Sequence, residues 1–245
     1  MGRKYREKRF QFINIEDGLS KPGDVLKTEF MNAVRLVQDS GIQTFLFRIL
    51  PWHFFRRFTV YSQALTSQVR VGPYSGRADL RIEMATEKNL SHIMGLRPLF
   101  YRRGQLMKRF QERHLCFIGW IGDDPVHIRW HFKNSRYLPY IKRRVMLSSR
   151  DIWSDEAYTH PGYRRRGIYA SAAVQTNGIL AELGYRNIFC AVASWNSSSL
   201  RSVLKRGMQP VGEIDYRNIF LFRKYKFSGS IRELKGDRIG VGDQC

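Results

Sequence analysis

The sequence predicts an α/β domain preceded by a basic, helix-rich extension. Three observations carry this prediction. Two alternating runs meet at Gly122-Asp123-Asp124-Pro125, the pattern of a β-hairpin. A strand, a basic turn and an amphipathic helix follow one another over residues 152–183 and lead into the apolar run 187–193. Two more alternating runs, 211–216 and 219–225, complete the ordered part.

Taken in order, the elements begin with a polar, strongly basic stretch and a turn at Lys21-Pro22-Gly23-Asp24. Phe30, Val34 and Val37 fall at helical spacing, and a second helical segment is read through LPWHFFRRFTVYSQAL. Its aromatics, Trp52, Phe54, Phe55 and Phe58, are interleaved with Arg56 and Arg57, which suits a membrane-surface helix, a patch that meets another protein, single-stranded nucleic acid, or packing on a core. Val71-Gly72-Pro73-Tyr74-Ser75-Gly76 is the expected boundary, giving an extension over 1–77, the main domain over 78–227 and a flexible, Gly-rich tail over 228–245. Within the domain, 78–85 alternates as a strand, and 87–111 is helical with a break at Arg97-Pro98. In the second arm of the hairpin, Val126, Ile128, Trp130 and Phe132 share one face. His127, Arg129 and His131 share the other, where they meet an acidic acceptor, are solvated, or lie under a helix. Gly184 and Gly207 stand where C-terminal caps of two helices belong.

Composition sets the limits. The chain has 245 residues, 43% hydrophobic and 13% aromatic, which suffices for a buried core and excludes wholesale disorder. Lys and Arg number 42 against 21 Asp and Glu, a formal +21 that favours polyanions: nucleic acid, anionic lipid or a phosphate-rich cosubstrate. Three cysteines, Cys116, Cys190 and Cys245, form neither a disulfide framework nor a zinc pattern, so no metal is expected and a reducing, cytoplasmic setting is. No apolar run reaches the roughly 18 residues of a membrane-spanning helix, which leaves a soluble or membrane-peripheral chain.

The stretch with chemistry in it is Ser154-Asp155-Glu156-Ala157-Tyr158-Thr159-His160-Pro161-Gly162-Tyr163-Arg164-Arg165-Arg166-Gly167-Ile168-Tyr169-Ala170. A strand that enters a tight basic turn and a helix N-terminus offers unpaired backbone N–H groups and the positive end of a helix dipole. Gly167 permits close backbone approach, and Arg164, Arg165 and Arg166 add charge, so the turn reads as a diphosphate cradle without a Walker lysine. The alternative is a solvated basic loop.

Thr159-His160-Pro161-x-Tyr163-Arg164-x-x-Gly167-Ile168 resembles the acyl-CoA signature of the GNAT acetyltransferase superfamily, V-x-P-x-Y-R-G-x-G-I-G. Asn196, with Gly207 and Met208 downstream, is similar to that family's second signature, N-x-x-A-x-x-x-Y-x-x-x-G-F. The resemblance spans about residues 78–226. It implies a mixed, mostly antiparallel central sheet with flanking helices, splayed between its fourth and fifth strands to admit the cosubstrate. It also implies direct transfer of an acyl group, acetyl first, from acetyl-CoA to a primary amine in a ternary complex.

By this likeness Arg164, Arg165, Arg166, Gly167, Ile168, Tyr169 and Ala170 hold the pyrophosphate, Tyr158 and Thr159 face the thioester carbonyl, and Asn196 and Ser199 meet the pantetheine arm. Asn196 also reads as a plain helix cap. A carboxylate on the preceding strand takes the amine's proton, Asp155 first and Glu156 second, their side chains expected on opposite faces. The alternative for both is neutralisation of the arginines. Tyr169 stands where the pattern has its last glycine, and Val203 where it has a tyrosine acid. The overall pattern is similar to GNAT members of surface-polysaccharide pathways, making an amino sugar the expected acceptor. Two rivals remain at this stage: a lapsed GNAT module that binds membrane or nucleic acid, and an O-acyltransferase.

Overall fold

The protein is described by a computed structural model over residues 55–65, 79–97, 100–219 and 222–241. The chain divides into two compact units, Met1–Phe54 and Phe55–Cys245. All that follows concerns the second. The helix expected around Phe30 and the boundary expected at 71–76 lie outside the described residues.

Strand β1 (Phe55–Ala64) is followed by β2 (Leu80–Met84), a 3-10 turn at Glu87–Asn89, helix α1 (Leu90–Leu96) and helix α2 (Arg103–Gln111). Then come β3 (Leu115–Ile121), β4 (Asp124–Lys133), β5 (Ser135–Leu138), β6 (Arg143–Met146) and β7 (Asp151–Thr159). Helix α3 (Ile168–Glu182), β8 (Asn187–Ala193), α4 (Ser197–Lys205), β9 (Gln209–Ile219), β10 (Phe222–Phe227), β11 (Ile231–Glu233) and β12 (Arg238–Val241) complete the unit.

An eight-stranded sheet of order β10-β9-β1-β8-β7-β4-β3-β2 forms the body. Of its neighbouring pairs only β7 with β8 is parallel; the rest are antiparallel. This is a mixed, mostly antiparallel α/β architecture. Helices cover both faces: α1 packs on β4, and α3 on β2, β4 and β7. β3 and β4 are therefore buried almost end to end, and the charged members of β4 go inside with the rest. The core joins Tyr61, Phe117, Ile152, Leu180, Ile188 and Val203.

Two expectations are corrected. Residues 55–64 form a strand, not a helix, and it runs between β8 and β9. Its β-branched and aromatic content (Phe58, Thr59, Val60, Tyr61) suits a pleated buried surface, and a register shift at Val60/Tyr61 puts both of those side chains inside. Residues 55–64 thus belong to the main sheet.

The tail is also more ordered than its glycines suggest. β11 and β12 join β6 and β5 in a second, four-stranded sheet, with Ile231, Ile239 and Val241 buried. Here glycine serves a close crossing: a Cβ on Gly212 of β9 would overlap the carbonyl oxygen of Ser228. Residues 242–245 lie outside the described residues. Among the described residues no helix is long and apolar enough to cross a membrane.

Candidate active site

The decisive feature is how β7 leaves β8. The two strands pair only from Asp151 to Trp153, against Asn187 to Phe189. Beyond that point β8 stays with β1, as in Tyr61 opposite Cys190, while β7 stays with β4 as far as His127 opposite Thr159. A gap opens between them. A bulge lies within it: the β4–β7 register shifts between Ile128 and Trp130, and Glu156 takes φ +51°, a left-handed conformation that costs a non-glycine residue.

An ion-pair cluster holds that conformation. Arg109 of α2 donates from both terminal nitrogens to Glu156, at 2.7 and 2.8 Å, and Arg136 of β5 donates to Glu156 Oε1 at 2.7 Å. The carboxylate is 8% exposed. Burial pushes its pKa up, but the charges of Arg109, Arg136 and Arg97 prevail and hold it below the usual glutamate value. A local strain of this kind persists only where its surroundings over-determine it, and two guanidinium forks do so here.

Asp155 precedes the bulge and has the opposite character. Burial, and the neighbouring Glu156 charge, raise its pKa against the pull of Arg136. Its Oδ1 accepts the Glu156 N–H at 2.8 Å, and its Oδ2 stands 3.4 Å from Arg136 Nε. The side chain remains 28% exposed, so this carboxylate, unlike Glu156, is open to a reactant. The opposite faces expected for the pair are not observed: the bulge turns both toward Arg136. The two adjacent carboxylates thus have pKa values driven apart by their surroundings, one clamped between guanidinium groups and the other accessible.

Downstream, β7 ends in the basic turn. Pro161–Tyr163 is one 3-10 turn, with the Gly162 N–H on His160 Nδ1 at 3.3 Å. Arg164 donates to the Thr159 carbonyl at 3.0 Å, so this arginine ties the turn together. Gly167 takes φ +76° as the N-cap of α3, and the first α-helical bond is Ser171 N–H to the Gly167 carbonyl at 3.0 Å. The amides of Ile168, Tyr169 and Ala170 precede that bond, as the first turn of a helix requires. They open on a cavity of about 290 Å³ between the start of α3 and helix α4. Arg165, Arg201, Lys205 and Arg206 line it, and among the described residues no carboxylate does.

The structure gathers Gly167, Ile168, Tyr169, Ala170 and Arg165 around this cavity. Arg166 stands over the Tyr163 ring at 5.4 Å, and Tyr158 carries Arg97 and Arg164 on its ring at 4.8 and 5.5 Å. Thr159 Oγ1 lies 2.8 Å from His127 Nδ1. Asn196 caps α4 by accepting the Ser199 N–H at 3.1 Å, the simpler of its two expected roles. Val203 is part of the core.

Sequence reading missed the α4 contribution. Ser198, Arg201, Ser202, Lys205 and Arg206 recur every three or four residues, a polar-basic stripe on one helix face that the segment's apolar residues concealed. Among the described residues no group of three or more His, Cys, Asp or Glu could hold a metal.

His127, Arg129 and His131 are all buried, the covered alternative of the three expected for them. Burial, with the charge of Arg129, drives the pKa of both histidines well below the ordinary 6.5. Burial also takes His114 down to about 4, with Arg136 and Arg109 assisting and Glu112 opposing. Histidines neutral in the native state but charged once unfolded contribute stability that is complete above about pH 6.5 and is lost as pH falls toward 4. Thermal midpoints measured by circular dichroism from about pH 7.5 down to about 5 are expected to fall, before the carboxylates titrate. His131→Phe should flatten the slope; a flat wild-type profile would contradict this account.

No family profile matches the sequence, and no curated protein matches it. Solved structures do. A conserved protein of unknown function from Staphylococcus epidermidis is 11% identical at TM-score 0.47, covering 82% of each chain. A GNAT-family acetyltransferase from Novosphingobium aromaticivorans is 14% identical at TM-score 0.45, covering 66% of this chain and 62% of the other. An aminoglycoside N-acetyltransferase in complex with CoA is 19% identical at TM-score 0.44, covering 59% and 94%.

Proposed function

We propose that this chain is an acyl-CoA-dependent N-acyltransferase acting on a primary amine. The observation that carries the reading is the junction of three features. A bulged strand β7 parts from β8, it runs directly into a glycine-capped helix N-terminus, and that terminus opens on a cavity lined, among the described residues, by four cations and no carboxylate.

Each part has a task. Amides of residues 168–170, with Arg165, Arg201, Lys205 and Arg206, suit a diphosphate, since a helix N-terminus supplies both donors and dipole. The parted strands leave a lane for the pantetheine arm, where Asn196 keeps its amide nitrogen for hydrogen bonding while its oxygen caps α4. Main-chain N–H groups near Tyr158 and Thr159, on the part of β7 that does not pair with β8, donate in this reading to the thioester oxygen as negative charge builds there. Asp155 takes a proton from the acceptor ammonium, directly or through water, because only the neutral amine has the lone pair for attack. The C–N bond then forms, the C–S bond breaks, and the thiolate leaves. Val203 has no proton to give, so the thiolate is protonated by water or by the proton released from the amine. Cys190 is not a candidate covalent nucleophile: burial pushes its thiol up to about 11.

Calorimetry with CoA tests the cradle, and thiol release from acetyl-CoA over a panel of amines, amino sugars first, tests the reaction. The expected result is saturable binding that weakens with salt and with Gly167→Ala, whose φ of +76° strains any Cβ-bearing residue. Absence of binding at millimolar CoA by a folded sample would overturn the reading. Binding without turnover for any amine would favour the non-catalytic module.

A further inference from the structure

Arg129 is 1% exposed in the middle of β4, and neither its Nε nor its Nη1 has a hydrogen-bond partner. A guanidinium cannot shed its proton at neutral pH, so burying it without a counter-charge is expensive. The carboxylates of β7 do not serve it, for Asp155 and Glu156 are turned to Arg136 and Arg109. What lies against it is Tyr169, whose ring centroid is 4.6 Å from Arg129 Cζ, while Arg206 Cζ lies 5.4 Å from the same ring. Tyr169 and Arg206 both line the basic cavity. His131, whose two ring nitrogens have no partner, and His127, whose Nε2 has none, extend the patch along β4.

Position defines what this patch can meet. Arg129 lies between Ile128 and Trp130, at the register shift where β7 bulges, beside the part of β7 that no longer pairs with β8. In the acyl-CoA reading the diphosphate lies at the mouth of the cavity by residues 168–170, and the thioester lies further in, along β7. Arg129 belongs to the inner end and shares Tyr169 with the donor cavity, whereas Asp155 is turned to Arg136 of β5.

We propose that Arg129 binds a carboxylate at the far end of the acyl group, so that the preferred donor is the thioester of a short dicarboxylic acid rather than acetyl-CoA. The inference rests on the acyl-CoA reading and narrows it. Neutral His131 adds a donor to the same carboxylate through either ring nitrogen, and Tyr169 separates this inner anion from the outer diphosphate. A tyrosine at this place, where a small residue would suffice for the turn, then has a purpose.

The test is calorimetric titration of the whole chain with CoA, acetyl-CoA, succinyl-CoA and the methyl ester of succinyl-CoA. Succinyl-CoA is expected to bind about tenfold or more tighter than acetyl-CoA, the scale of a charge-assisted hydrogen-bonded pair. The methyl ester, which keeps the succinyl carbon chain but caps its carboxylate with one methyl and removes the charge, should lose that advantage in the wild-type protein. Arg129→Gln should equalise succinyl-CoA and acetyl-CoA while changing the affinity for CoA by less than about threefold. Should that variant fail to fold, the ester comparison decides alone. Equal affinity for the succinyl and acetyl thioesters in the wild type would overturn the proposal and leave the acyltransferase reading intact. A uniform loss for all four ligands in Arg129→Gln would overturn it as well, assigning the arginine to the diphosphate. Failure of every ligand to bind would remove both readings.

Discussion

Asp155→Asn is expected to lower turnover by about 10²–10⁴-fold, the range of a lost general base, while the affinity for CoA stays within about twofold. The substitution keeps shape and hydrogen-bonding reach, so a folded protein with an intact cradle and no proton acceptor should result. Steady-state thiol release and calorimetry on one preparation check both halves. The pH profile adds a signature that a structural role would not give. Burial and the adjacent Glu156 charge raise the Asp155 pKa above its ordinary 3.8, so the acid limb of kcat/KM should lie above that value. Unchanged turnover in Asp155→Asn would dismiss this residue as the base.

Glu156→Gln should instead act on the fold. It takes from two buried guanidinium groups the carboxylate they share and removes the clamp on a left-handed residue, and breaking one partner from a buried pair costs about 3–5 kcal/mol. For a domain of this size that corresponds to a fall in Tm of roughly 6–20 °C, measurable by scanning calorimetry. If enough protein folds, the acid limb attributed to Asp155 should move down. A repelling charge has gone, and Arg136 is left to Asp155 alone. Unchanged stability would show that the bulge stands without the clamp. In this account Glu156 is a positioning residue and Asp155 a catalytic one, though both are adjacent carboxylates before the same turn.

That division was not legible in the sequence. Strict alternation puts neighbouring residues of a strand on opposite faces, and nothing local to Ser154-Asp155-Glu156-Ala157 announces a bulge. The clamp that stabilises it comes from Arg109 and Arg136, 47 and 20 positions away. The turn itself was legible, because its chemistry is local: Pro161, Gly167 and the arginines between them dictate a stop, a left-handed cap and a positive field within one segment. Helix α3 and strand β8 followed from their periodicity for the same reason. The segment from Phe55 to Ala64 was misread as a helix because its aromatics satisfy either period over a short window. Only the β8 and β9 edges on its two sides choose the strand.

Sequence alone therefore determined the order of strand, basic turn and helix, the excess of cations, and which residues stand at the helix start. Each of these depends on backbone preferences and charges within a few positions. The tertiary structure decided which carboxylate is open and which is clamped, brought the α4 cations around the cavity, and buried Arg129 behind Tyr169. Those properties arise from burial and from charges distant in the chain, and burial exists only once the helices have closed over the sheet.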